Sequence, residues 1–264
     1  MTTASASFYA VPNITPRFWP VVLRNLLVWK KLAVPSVVGN IAEPLITLVA
    51  FGYGLGALVG QIDGRPYVQF LASGSVTASA TLAATFEALY SAYSRMAVQK
   101  TWDSILNAPI GLDDIVFAEM LWAALKGLFS CSAILVVIAL LGISRAPTML
   151  IALPVLGLVG VTFASIALIF NAVAQGYDFF TYYFTLVITP MTFLSGVYFP
   201  IAQMPDWLQT VAHVLPLTAA VELVRPLVLG EFPTEVTRPV LVLLGYAAAG
   251  YYLALVLTRR RFFR

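Results

Sequence analysis

Charge is scarce in this sequence: Asp, Glu, Lys and Arg make up only 10% of its 264 residues, against about 25% in an ordinary soluble domain. Cysteine and histidine are scarcer still, with Cys131 and His213 alone, which excludes an internal disulfide framework and a Cys/His zinc site. No G-x-x-x-x-G-K-S/T phosphate loop, H-E-x-x-H zinc helix or G-x-S-x-G elbow occurs, so the chain cannot hydrolyse ATP through a P-loop of its own. Paired catalytic aspartates are also missing, because Asp113 and Asp114 adjoin each other and Asp178 stands far along the chain, whereas such pairs must face one another across a site. The first fifteen residues lack a basic segment followed by an apolar core, so a removable signal peptide is not expected.

What is present is apolar: 60% of the residues are hydrophobic, more than a water-soluble fold can hide. Six candidate membrane spans are read at 36–58, 67–93, 114–143, 148–174, 179–199 and 239–257, each near the ~20 residues needed to cross a bilayer. Before them, Arg17, Arg24, Lys30 and Lys31 alternate with Phe18, Trp19, Leu26 and Trp29, a composition suited to an amphipathic helix in the headgroup plane. Between the last two spans, prolines 205, 216, 226 and 233 break a moderately apolar stretch into pieces too short to cross, so short re-entrant or interfacial helices are expected there. The expected fold is therefore an all-α integral membrane bundle of six spans, with residues 1–35 as an N-terminal segment and 36–264 as the transmembrane domain.

The basic residues, which give a formal charge of +3, lie at the edges of apolar runs rather than in a phosphate-binding stripe, so nucleic acid is not an expected partner. With the amino terminus in the cytoplasm, ten Lys and Arg fall on that side and Arg65, Arg145, Arg225 and Arg238 on the other. The positive-inside rule then places both termini in the cytoplasm.

Glu43, Glu87, Glu119 and Lys126 lie within or near span ends. Each such charge costs at least ~2.5 kcal/mol in lipid, so these residues are candidates for a substrate path or a polar intramembrane site. Glu119 and Lys126 share nearly one helical face and are expected to neutralise each other in part or to share a cavity; the alternative is snorkelling to the interface, with Lys126 paired to one of the glutamates. Small residues at four-residue spacing, Gly52, Gly56 and Gly60, then Ser73, Thr77 and Thr81, mark helix packing or a dimer seam. After the second span, Thr101 can cap a short helix holding Trp102, Asp103, Ile105 and Leu106, which Asn107 and Pro109 stop. On residues alone, this helix is a connector lying beside the membrane.

Two strings carry a resemblance: RMAVQKTWDSILNAPIGLDDIVFAEMLWAALK from Arg95 to Lys126, and FLSGVYFPIAQMPDWLQTVAHVLPLTAAVELVRPLVLG from Phe193 to Gly230. With the amphipathic segment before the first span, they resemble the type-2 ABC exporter permeases, and within them the nodulation protein J subfamily of lipooligosaccharide exporters, over nearly the whole chain from Arg17. The resemblance implies a homodimeric permease in the bacterial inner membrane that binds two copies of a separate ATPase, with ATP and magnesium held by that partner and no cofactor in this chain. It implies that Arg95, Thr101, Trp102, Asp103, Ile105, Leu106 and Pro109 form the ATPase-coupling element, with Asp103 standing where relatives carry Glu. The cargo would be an amphiphilic saccharide or lipid. Two other readings remain open at this point: a proton-coupled secondary transporter working through the four charges, and a membrane-embedded enzyme acting on lipid-linked sugars.

Overall fold

The computed structural model describes residues 8–263; the side chains of Asn40 and Glu43 lie outside the described set, and with them the expectation placed on Glu43. About 78% of the chain is helical. Helix α1 (Phe18–Lys30) is followed by α2 (Ala33–Val59), which contains Pro44 and opens into a wide, π-type stretch at Leu48–Leu55. Gly60 ends α2 at a φ of 74°, a conformation only glycine enters without strain. A two-residue hairpin pairs Gln61–Ile62 with Arg65–Pro66. Helix α3 (Tyr67–Phe86) continues through two more wide turns, Glu87–Ser91 and Ser94–Val98. Then come α4 (Thr101–Leu106), α5 (Leu112–Leu140), α6 (Met149–Val173), and α7, built from Asp178–Tyr183, Phe184–Ile188 and Thr189–Leu194. Helices α8 (Asp206–Val214), α9 (Pro216–Leu229) and α10 (Thr237–Phe262) complete the described chain.

Among the described residues, four helices, α2, α5, α6 and α10, are long and apolar enough to cross a membrane, and α8 with α9 makes a fifth candidate bent by 85°. The bend falls at Pro216, whose ring restricts the residue before it to extended backbone. The spans expected at 36–58, 114–143, 148–174 and 239–257 fall on those four helices. Those expected at 67–93 and 179–199 fall on α3 and α7, which are not among them.

The composition of α3 has a packing cause. It lies in the middle of the bundle against α2, α5, α6 and α9, and residues 70–81 are buried without a break. A helix walled by other helices needs close approach more than apolar bulk, so Ser, Thr, Gly and Ala serve better than Leu. Two of its hydroxyls bond locally, Ser73 Oγ to the Phe70 carbonyl at 2.7 Å and Thr77 Oγ1 to that of Ser73 at 3.5 Å, and Ser79 Oγ lies 3.3 Å from Ser130 Oγ of α5. Close crossings also use glycines outside the expected stripe. A Cβ on Gly127 of α5 would lie 2.8 Å from the Ala80 carbonyl oxygen of α3, and one on Gly160 of α6 would lie 2.9 Å from the Ala124 Cα of α5.

The helix ends are chemically marked. At the start of α5, Asp114 accepts hydrogen bonds from Thr15 N (2.6 Å) and Oγ1 (2.9 Å) and from Gly111 N (3.4 Å), placing an acid at a helix N-terminus. Arg259, in the last turn of α10, holds Asp113 with Nε to Oδ1 at 3.0 Å and Nη2 to Oδ2 at 2.5 Å. Its Nη1 also donates to the Ala10 carbonyl at 2.6 Å, so residues 8–17 form a strap tied across the feet of α5 and α10. Arg261 Nη1 caps α6 through the carbonyls of Asn171 (3.2 Å), Ala172 (3.1 Å) and Ala174 (2.8 Å).

Candidate functional site

The charges expected within spans converge. Glu87 and Arg95 lie in the two wide turns that prolong α3. In a regular α-helix, positions eight apart differ by about 80° around the axis, and the widened turns reduce that offset. Helix α5 presents Glu119, Trp122 and Lys126 on one side, and α4 adds Trp102. Glu87 and Glu119 are 3% and 1% exposed, and Trp102 is 1% exposed.

The pairing is complete. Arg95 reaches Glu119 with Nε at 2.9 and 3.1 Å and with Nη2 at 2.5 Å, and that same Nη2 lies 2.9 Å from Glu87 Oε1. Lys126 Nζ donates to Glu87 Oε2 at 2.8 Å, Trp122 Nε1 to Glu87 Oε1 at 2.9 Å, and Trp102 Nε1 to Glu119 Oε1 at 3.2 Å. Two carboxylates therefore face two cations, and the set is neutral. A buried pair breaks even at best against an apolar core but is costly to break from one side, so the cluster acts as a rigid joint between α3, α4 and α5.

Glu119 and Lys126 share a helix face and one buried polar network, as expected, but they are linked through Arg95 and Glu87 rather than paired directly. Lys126 pairs with Glu87, one of the two glutamates offered for it. The expectation corrected is snorkelling: both carboxylates are enclosed by protein.

Of the residues expected to couple to an ATPase, Arg95 and Trp102 point inward, into this cluster. Asp103 and Pro109 are exposed, while Thr101, Ile105 and Leu106 are half-buried, with Ile105 and Leu106 packed on the core. The carbonyl of Pro109 accepts Arg17 Nη1 at 2.6 Å. Lys100, at a φ of 51°, forces the sharp entry into α4. A recess of about 360 Å³ opens beside α4 between Met96, Lys100, Asp103, Arg261 and Phe262, and the adjacent Val98 side chain is 61% exposed. Helix α4 thus has an outward polar face and an inward tryptophan anchored on a buried carboxylate.

Most of the small-residue positions pack inside the chain, whereas Gly60 is exposed with no neighbour within 4 Å of an added Cβ. Gly52 meets Val68 of α3, where an added Cβ would approach Cγ2 to 2.9 Å, and Gly56 lies near Tyr67. Ser73 accepts Arg225 Nε at 3.1 Å, and Thr77 and Thr81 are buried, the Thr81 hydroxyl without a hydrogen-bond partner. Sequence reasoning missed the roles of Trp122 and Arg225. Trp122 was detectable, standing three residues after Glu119 on the same face; Arg225 was visible only as a loop charge.

Most of the sequence, α4 and the bent α8–α9 pair included, matches a known family. Residues 3–229 match the ABC-2 type transporter family. The chain belongs to that family. Among ABC-2 relatives, it is 44% identical over 255 residues to nodulation protein J of Sinorhizobium fredii, covering 96% of this chain and 97% of the relative. It is 44% identical over 238 residues to nodulation protein J of Rhizobium meliloti, covering 90% and 91%. A more distant ABC-2 relative is the inner membrane transport permease YadH of Escherichia coli, 23% identical over 221 residues with 83% and 84% covered. The chain is thus an ABC-2 permease with several apolar, membrane-spanning helices.

Proposed function

We propose that this permease is the six-span transmembrane subunit of an ATP-driven exporter of an amphiphilic saccharide or glycolipid, working as a homodimer with two separate ATPase subunits that hold ATP and magnesium. Both chain termini would face the cytoplasm of a bacterial inner membrane. Helices α3 and α7 would supply the second and fifth spans, and the α8–α9 pair would be re-entrant.

One observation carries this reading: Trp102 of α4 is hydrogen-bonded to Glu119, which is locked through Arg95 to Glu87 and Lys126. A displacement of α4 by a docked ATPase would therefore be delivered to α3 and α5 together. ATP can drive such a change only by binding the two states unequally. The enclosed, fully paired carboxylates suit transmission better than a proton cycle, in which a carboxylate must be released and reprotonated.

Asp103 is exposed and makes no ion pair among the described residues, so Asp103→Arg probes docking without disturbing the core. The tagged chain, purified in mild detergent from its own host, is expected to bring down a P-loop ATPase at equal stoichiometry, and Asp103→Arg to release it. Recovery of the permease alone, with flux dependent on a proton gradient, would instead favour secondary transport. Product formation without any ATPase would favour the membrane-embedded enzyme.

A further inference from the structure

The end of the bundle opposite Asp113 and Arg259 carries a second feature. Helix α5 closes with Gly142 N bonded to the Ala139 carbonyl (3.2 Å) and Ile143 N to that of Ile138 (3.1 Å), with Gly142 at a φ of 69°, a Schellman turn. The loop beyond is pinned by Ser144 Oγ to the Val228 carbonyl (2.6 Å), Thr148 Oγ1 to that of Leu227 (2.6 Å), and Gln69 Nε2 to that of Ile143 (3.1 Å). Arg145 therefore stands on a fixed base. Its Nε donates to the Ala139 carbonyl at 3.2 Å. Among the described residues no carboxylate lies within ion-pair distance of Arg145, and neither of its Nη groups has a protein acceptor. Arg65, across the same recess, is by contrast paired with Glu231.

Two cavities meet at Arg145 and Ala146. One, of about 510 Å³, is rimmed by Arg65, Gln69 and Ser144. The other, of about 350 Å³, is a furrow between α5 and α6 walled by Leu135, Val136, Ala139, Met149, Leu150 and Leu153. A cation at the carboxyl end of α5 is favoured by the helix dipole, and the exposed guanidinium keeps both Nη groups open to an anion at the head of an apolar furrow. A soluble anion would fill the polar recess and leave the furrow empty. A molecule with a fatty chain and an anionic head fills both.

We propose that this site binds an anionic phospholipid, its phosphate on the Arg145 Nη groups and one acyl chain in the α5–α6 furrow. The proposal goes beyond the transport reading and does not rest on it.

The test uses the full chain, with any partner that accompanies it, and follows thermal unfolding and native mass spectrometry during titration with phosphatidylglycerol or phosphatidylcholine of the same chains. Phosphatidylglycerol is expected to bind about tenfold more tightly, Arg145→Gln to abolish that preference, and Arg145→Lys to keep most of it. Val136→Trp, at an exposed furrow position, should weaken both lipids about equally. Equal binding of the two lipids by the unaltered chain overturns the proposal. So does a preference that survives Arg145→Gln, binding of inorganic phosphate as tight as that of the lipid, or a change of oligomeric state in Val136→Trp with lipid binding intact. If Arg145→Gln does not fold, the comparison of lipids on the unaltered chain and the Val136→Trp variant still decide the matter.

Discussion

The indole Nε1 of Trp102 and the carboxylate Oε1 of Glu119 lie 3.2 Å apart, joining residues seventeen positions apart on α4 and α5. The bond ties α4, with its outward polar face, to the least exposed carboxylate among the described residues.

Trp102→Phe keeps the buried ring and removes only the donor. A hydrogen bond to a charged acceptor contributes about 1.5–3 kcal/mol, and Glu119 retains Arg95. A modest drop in thermal stability is expected, together with a larger loss of transport per ATP hydrolysed. A double-mutant cycle with Glu119→Gln measures the coupling energy directly, and a value near zero would remove α4 from the transmission path.

Arg95→Met leaves Glu119 with only the Trp102 N–H, whereas Glu87 keeps Lys126 and Trp122. Removing one partner of a buried pair costs about 3–5 kcal/mol, which corresponds to a fall in melting temperature of about 10 °C. Adding Glu119→Gln to Arg95→Met should restore much of that loss, since the orphaned charge goes with it.

Gly127→Val tests the α3–α5 crossing. Its Cβ would meet the Ala80 carbonyl oxygen at 2.8 Å, so the helices must separate, at a cost of about 1–3 kcal/mol. Gly157→Ala, at a glycine with no neighbour within 4 Å of the added Cβ, should be nearly neutral in the same melting assay.

Asp113→Ala releases Arg259 and the backbone amide of Asn13. The strap at 8–17 then opens more often, and cleavage by trypsin after Arg17 should accelerate about tenfold while the melting temperature of the bundle changes little.

The long apolar runs made α2, α5, α6 and α10 legible, because lipid demands length and hydropathy together. The central helix α3 was legible as a helix but not as the hub, since residues such as Ser73 and Thr77 look alike in sequence whether they face a sister subunit or a neighbouring helix. The ion cluster was legible only in its members. Arg95 was assigned to docking from the family resemblance, and its turn inward depends on the wide turns at Glu87–Ser91 and Ser94–Val98, which no helical periodicity announces. Spacing reports which residues share a face; it does not report which helix lies opposite.

The neutrality of the Glu87, Arg95, Glu119 and Lys126 set has an electrical consequence. A charge moved across the membrane field takes up about 2.3 kcal/mol per 100 mV, but these four groups sum to zero, so moving them as a body transfers no gating charge. A stroke that carries the joint intact therefore moves no net charge through these four groups, so any voltage dependence of the stroke must come from charges elsewhere in the chain, such as the half-buried Arg225.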